Sequence, residues 1–248
     1  MKEQSRKRRT KYEKVALDFE QGHVLTGYHH YRRLEITLSF LKNLGSNLLV
    51  LDAGCGDGIQ MEHYFQCGKV FGLDISLTRL QRAKERFKQN SIIVQGDLFD
   101  MPIKEHYFDV VILGEVIEHL EEPLVVLQEI RRILKPFGHL ILDTPSKSNA
   151  VDILLRLFGI NLTWGYEVDK THLWFFTMTD VVNILKKAGF AIIKTRGGPF
   201  VRYNLPIIHH CTWVKSRWWV YRLFDYTLGN LPIFNRLGAI QVFMAKKA

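Results

Sequence analysis

The sequence has little cysteine: Cys55, Cys67 and Cys211 are the three in a chain of 248 residues. The number is odd and no two are spaced C-x-x-C. That argues against a disulfide framework or a zinc site and leads us to expect a reducing compartment. The chain also lacks any uncharged apolar run of about 18 residues, so no membrane-spanning helix is expected. Its first residues are charged and without an apolar core segment, so no secretory signal is expected, and the expected location is cytoplasmic. Acidic residues are short as well, 25 against 34 Lys and Arg, which leaves a formal net charge of +9. Such a balance raises nucleic acid or an anionic membrane as partners. Much of the excess is local, however. Lys2, Arg6, Lys7, Arg8, Arg9, Lys11 and Lys14 crowd the first fourteen residues, and 1–13 is expected to be a disordered basic tail ahead of a single domain over 14–248.

What the chain does have is an apolar run followed by alternate glycines, Leu48-Leu-Val-Leu-Asp-Ala-Gly-Cys-Gly-Asp-Gly58. The run reads as a strand buried on both faces, as in the middle of a parallel sheet. Asp52 closes the strand, and glycines at 54, 56 and 58 let the backbone approach a ligand closely. A helix is expected over 59–65, its N-terminus aimed at the same place. A dinucleotide fingerprint, G-x-G-x-x-G, would need glycine where the chain has Ile59. About twenty residues beyond Gly54, a second strand over 69–73 ends in Asp74, placed to accept from ribose hydroxyls.

Strands and helices then alternate. A helix over 31–41 precedes the first strand, and a helix over 77–88, capped by Ser76, follows the second. Strands are expected over 91–95, 109–113, 139–143 and 190–194. A helix beginning at Pro123 carries Leu127, Ile130 and Leu134 in one stripe, residues 135–138 form a turn, and a helix over 180–188 stops at Gly189. This alternation implies an α/β doubly wound sheet with ligands at the carboxyl ends of its strands.

Five motifs, in order, resemble the class I S-adenosylmethionine-dependent methyltransferases. They are Val50-Leu-Asp-Ala-Gly-Cys-Gly-Asp-Gly58, Phe71-Gly-Leu-Asp-Ile-Ser76, Gln95-Gly-Asp-Leu98, Phe108-Asp-Val-Val-Ile-Leu-Gly-Glu-Val-Ile-Glu-His119 and Leu134-Lys-Pro-Phe-Gly-His-Leu140. The branch most resembled contains the ubiquinone-pathway O-methyltransferases. The resemblance implies a Rossmann-like, seven-stranded sheet whose last strand, over 239–245, runs antiparallel. It implies S-adenosyl-L-methionine as cofactor, held by Asp52, Gly54, Gly56, Asp74, Ile75, Asp97, Leu98 and Gly114. Asp97 would accept from the adenine amino group while Leu98 packs on the ring; a cap or loop carboxylate is the alternative for Asp97. Arg33 best matches an arginine that contacts the methionine carboxylate, although with Arg32 beside it a solvated helix-face arginine is the alternative.

Methyl transfer is mostly alignment, but a hydroxyl acceptor benefits from a base. His119 and His172 are the candidates, with hydrogen-bonded structural roles as the alternative. The expected acceptor is a small hydrophobic or amphipathic molecule methylated at oxygen. An RNA methyltransferase and a non-catalytic cofactor-binding subunit are the competing readings. Glu115, Glu118 and His119, expected on one helical face, together with His172 also match a metal-holding group of small-RNA 3′-terminal methyltransferases. Insertions are expected over about 145–170 and 197–238. The second is an aromatic-rich C-terminal element that could cover the acceptor pocket and touch an anionic membrane surface.

Overall fold

A computed structural model describes residues 2–18, 28–87, 92–147, 171–198 and 238–248. Its sheet is built on β1 (Leu48–Ala53), whose inner residues are buried on both faces. Around it lie β2 (Gly68–Asp74), β3 (Ile92–Gln95), β4 (Phe108–Gly114), β5 (Leu134–Pro145), β6 (Phe190–Gly198) and β7 (Ile240–Lys247). The order is β3-β2-β1-β4-β5-β7-β6. The first five strands are parallel, and β7 runs antiparallel to both neighbours. This is the doubly wound α/β sheet expected from the alternation, with the antiparallel last strand. The chain changes direction across the sheet between β1 and β4, which opens a crevice at their carboxyl ends.

Period-two alternation divides the core. Val111 and Leu113 face one apolar layer, with Val126, Leu127 and Ile130 of α5 (Pro123–Ile133) and Leu185 of α6 (Met178–Lys187). Val110 and Ile112 face the other, with Phe40 and Leu41 of α2 (Tyr28–Leu44) and Met61 and Tyr64 of α3 (Met61–Tyr64). Each fully buried aliphatic or aromatic side chain contributes about 1.5–3 kcal/mol. The α6 start is a capping box, Thr177 and Asp180 each accepting the other's backbone N–H, and Gly189 at φ 83° ends it.

Several expectations are corrected. The stretch expected as a disordered tail is helical: α1 spans Lys2–Asp18. Ser5, Arg8, Tyr12, Val15 and Ala16 turn inward while Arg6, Lys7, Arg9, Lys11 and Lys14 stay exposed. Tertiary partners account for this. Glu13 accepts hydrogen bonds from Ser76 Oγ (3.1 Å) and from the Leu77 and Thr78 N–H groups, at the first turn of α4 (Leu77–Phe87). Ser76 caps α4 as expected, accepting from the Arg79 N–H at 3.3 Å.

The helix expected over 59–65 is only α3, one turn followed by a 3-10 turn. The turn expected over 135–138 is a bulge inside β5, because Phe108 pairs with Leu134 while Val110 pairs with His139. Glu115 does not share a helix with Glu118 and His119: its φ is 54°, and a 3-10 turn spans Ile117–His119. The insertions expected over about 145–170 and 197–238 fall outside the described residues except at their ends. No helix among the described residues is long and apolar enough to cross a membrane.

Candidate active site

At the carboxyl ends of β1, β2, β3 and β4 lies a cavity of about 290 Å³. Gly54 forms part of its wall at φ 81°, where a Cβ would come within 2.6 Å of Val116 Cγ2. A side chain there would both strain the backbone and fill the cleft. Gly54 and Cys55 donate their N–H groups to Leu73 O, at 2.7 and 3.1 Å, tying the turn to β2.

Asp74 is the hub of this turn. Its Oδ2 accepts the Gly56 N–H (2.9 Å) and its Oδ1 the Ser76 N–H (2.8 Å). Burial pushes its carboxyl upward, and those backbone donors pull it back toward the ionised form. Ile75 follows in the cavity wall, its carbonyl accepting from Gln95 Nε2 at 3.0 Å. Beyond β3, Asp97 and the buried Leu98 reach the same cavity. Gly54, Asp74, Ile75, Asp97, Leu98 and His119 therefore meet at one cavity.

Arg33, Asp52, Gly56, Gly114 and His172 are not among the residues lining that cavity. Arg33 is 3% exposed, its Nη1 2.9 Å from Asp143 Oδ1 and 3.9 Å from Glu115 Oε1. Burial works to remove its proton, but Asp143 and Glu115 outweigh it and raise its pKa. Gly114 lies against this pair, since a Cβ there would be 3.0 Å from Asp143 Oδ2. Asp52 is pushed up to about 7, first by burial and then by Asp143 and Asp74, against the opposing pull of Arg33. The buried acids Asp52, Asp74, Asp97, Glu118 and Asp143 gather around this crevice. A ligand bearing an ammonium or sulfonium charge fits that excess, and Asp52 would ionise fully beside it.

The opposite wall joins two segments far apart in sequence. Leu173 and Trp174 donate their N–H groups to Glu118 O (2.8 and 3.1 Å), and Trp174 Nε1 donates to Leu120 O (2.7 Å). This clamp brings the His172 ring to 4.7 Å from the His119 ring, centre to centre. His119 Nδ1 lies 3.2 Å from Thr171 O, which can only accept, and 3.0 Å from Thr171 Oγ1, which can also donate, so Thr171 can satisfy either neutral tautomer of the ring. Ligand atoms of Glu118, His119 and His172 all lie within 4.8 Å of one another. Glu118 is 1% exposed; Oε2 accepts from Thr144 Oγ1 (3.1 Å), while Oε1, also buried, accepts no hydrogen bond from the described residues. One carboxylate and two imidazoles could hold a divalent ion, and they suit manganese or iron better than magnesium.

Arg8, Tyr12 and Val15 of α1 also line the cavity, and the sequence reading missed them. The signal was present: residues 5, 8, 12 and 15 repeat at helical spacing, but their types are mostly polar.

Residues 51–142 match the family model described as a methyltransferase domain. The chain is similar to the ubiquinone biosynthesis O-methyltransferase of Cereibacter sphaeroides, 28% identical over 159 residues, covering 62% of this chain and 64% of that protein. It thus spans a little under two thirds of that relative's length. Demethylmenaquinone methyltransferase of Lactococcus lactis is 29% identical over 178 residues, covering 62% of this chain and 71% of that protein. Magnesium protoporphyrin IX methyltransferase from Synechocystis PCC 6803, solved with bound SAH, shares the fold. Its TM-score is 0.61 at 18% identity, over 97% of this chain and 98% of that one.

Proposed function

We propose that this protein, whose residues 51–142 match the methyltransferase domain model, is an S-adenosylmethionine-dependent enzyme that methylates a small hydrophobic or amphipathic acceptor at oxygen. The observation that carries the reading is the position of His119. It lines the cofactor cavity and is held through Nδ1 by the carbonyl and the hydroxyl of Thr171, with His172 against its ring. In the tautomer whose Nδ1 donates to the Thr171 carbonyl, Nε2 is the base for an acceptor hydroxyl.

S-adenosylmethionine supplies an electrophilic methyl group. Asp74 and Asp97 would hold its ribose and base, the turn at Gly54 and Gly56 would let the backbone close on it, and Asp52, buried behind that wall, would help to balance its positive charge. Arg33 acts from behind the wall by fixing Asp143 and Glu115. Leu120, Val116 and Phe99, which line the cavity beside these acids, would exclude water and give a bound acceptor oxygen an apolar surround. The ubiquinone and menaquinone enzymes among the relatives support a hydrophobic acceptor.

A cytoplasmic location with contact to an anionic membrane is part of the same proposal. Arg6, Lys7, Arg9, Lys11 and Lys14 form an exposed row on α1. Leu173, Trp174 and Phe175, next to the His119–His172 wall, are 45%, 44% and 38% exposed. Exposed cations together with exposed aromatic and aliphatic groups suit a lipid surface better than a nucleic acid.

The test is a label-transfer assay with methyl-labelled S-adenosylmethionine and a panel of phenols, catechols, amines and short RNA. Label in an apolar phenolic ether is the expected result. Label in RNA or in amines alone would replace the acceptor assignment, and no transfer to any acceptor would favour a subunit acting through a partner.

A further inference from the structure

Arg8 reaches from α1 into the cavity beyond the end of β3. Its Nε and Nη2 lie 3.0 and 2.9 Å from one oxygen of Asp97, Oδ2. Its guanidinium carbon sits 3.9 Å from the centre of the Phe99 ring. The other oxygen, Asp97 Oδ1, accepts the Phe99 N–H at 3.1 Å. Both carboxylate oxygens are thus engaged, and one face of Phe99 is covered. The ion pair is well shielded, its side chains 13% and 8% exposed.

The sheet order says what belongs at this spot. With strands in the order β3-β2-β1-β4, the glycine turn follows β1 and the ribose acid Asp74 ends β2. The next position outward, beyond β3, is where the base of a nucleoside would lie. Adenine offers an exocyclic N–H donor and two flat faces. Asp97 offers the acceptor and Phe99 the flat partner, and Arg8 already satisfies both, as a planar donor does.

Other contacts hold α1 down over the same cavity. Tyr12 donates its hydroxyl to His119 O at 2.9 Å. Its pKa is pushed up to about 12, first by burial and then by Glu121 and Asp74, so it remains a donor. Glu13 accepts from the first turn of α4, and Ala16 is fully buried.

We propose that Arg8 is a self-supplied occupant of the adenine subsite, so that cofactor seating and the Arg8–Asp97 pair exclude one another. This rests on the cavity being the cofactor site. Entry of the nucleoside displaces the guanidinium from Asp97 Oδ2 and from Phe99, which releases one of the anchors of α1. The sequence that follows is an empty enzyme with a latched helix and a loaded one with a loosened helix. The exposed cations of α1 are then freer to engage an anionic surface when cofactor is bound.

The experiment pairs calorimetry with proteolysis, using SAH as the probe. Arg8→Ala and Arg8→Gln should bind SAH about tenfold more tightly than the unaltered chain, because a charge-assisted competitor has gone. SAH should also speed trypsin cleavage within residues 2–18 of the unaltered chain. Weaker or unchanged binding by the Arg8 variants would make Arg8 a wall of the site and overturn the proposal. Protection of α1 from trypsin by SAH would do the same. If the unaltered chain and both variants alike bind no SAH, the cofactor assignment itself falls, which is distinguishable from a failed latch.

Discussion

Arg33 and Asp143 meet across 110 residues of sequence, Nη1 to Oδ1 at 2.9 Å, with both side chains buried. The same oxygen accepts the Glu115 N–H at 3.1 Å and so helps to hold Glu115 at φ 54°. Removing one partner leaves the other charge buried and unpaired. Arg33→Ala should therefore destabilise the fold by about 3–5 kcal/mol. Denaturant melts check this, and the pair Arg33→Met with Asp143→Leu should be less damaging than either single change. A single variant as stable as the parent would show that the pair is not what holds this region.

Asp74 organises the glycine turn and faces the cavity. Asp74→Ala should weaken S-adenosylmethionine binding by about 1.5–3 kcal/mol, roughly tenfold or more. Asp74→Asn, which keeps the shape and loses the charge, should fall between. Calorimetry gives the affinities directly. Unchanged affinity, or preference for NAD, would contradict the assignment of this strand end to the ribose.

Asp52 carries a pH signature. Its carboxyl sits near 7 in the folded chain against an ordinary 3.8. The folded state therefore holds a proton that the unfolded state has lost, and stability falls as pH rises from about 4 to about 7. Asp52→Asn should be more stable than the parent at pH 8 and no different at pH 4, as read by thermal melts. A bound cation favours the ionised form, so cofactor affinity should climb with pH and level off above about 7. A flat affinity profile in the parent would detach Asp52 from the cofactor.

Glu118, His119 and His172 can be tested as a metal group or as a base. If they hold an ion, excess chelator should abolish methyl transfer and manganese or magnesium should restore it. Glu118→Ala would then lose the rescue and keep cofactor binding. Full activity in chelator would leave the imidazoles as base or acceptor contacts. In that case His119→Gln should lower kcat by about 10²-fold or more.

The outer face of α1 predicts salt-sensitive lipid binding. Vesicles of phosphatidylglycerol in phosphatidylcholine should sediment the protein at low salt, and pure phosphatidylcholine should not. Changing Arg6, Arg9, Lys11 and Lys14 to Gln should weaken sedimentation by about 1 kcal/mol per cation, and salt should weaken it in the parent. Equal sedimentation of parent and variant would place the contact elsewhere, and tighter binding of RNA than of vesicles at matched salt would reverse the choice of partner.

Local pattern was enough for the sheet. Buried runs such as Val110 to Leu113, punctuated by glycine and proline, announced the first six strands, the resemblance supplied the antiparallel seventh, and the glycine turn with Asp74 announced the cofactor end. Where local signals competed, boundaries slipped. Residues 135–138 have the composition of a turn and are absorbed into β5 as a bulge, because strand pairing on both sides continues past them. Residues 59–65 have helical periodicity but yield only one turn of α3, since the chain must enter β2 at Gly68, whose φ of 152° permits the close approach to Leu48.

Charge and burial patterns along the chain determined the strand alternation, the glycine turn and the strand-end acids Asp52 and Asp74, because those depend on neighbours a few residues away, while Asp97 followed from the resemblance. The tertiary structure decided what each acid faces. It seated Arg33 against Asp143 and clamped His172 to His119 through Glu118 and Leu120. It also turned a basic stretch without apolar periodicity into a helix that enters the site. Alone, α1 has a mean hydropathy too low to collapse on anything. Its order comes from Asp97, the His119 carbonyl and the open N–H groups of α4, which lie from about 60 to over 100 residues away in sequence. Hydrogen-bond acceptors and donors of that kind exist only once the sheet has brought them together.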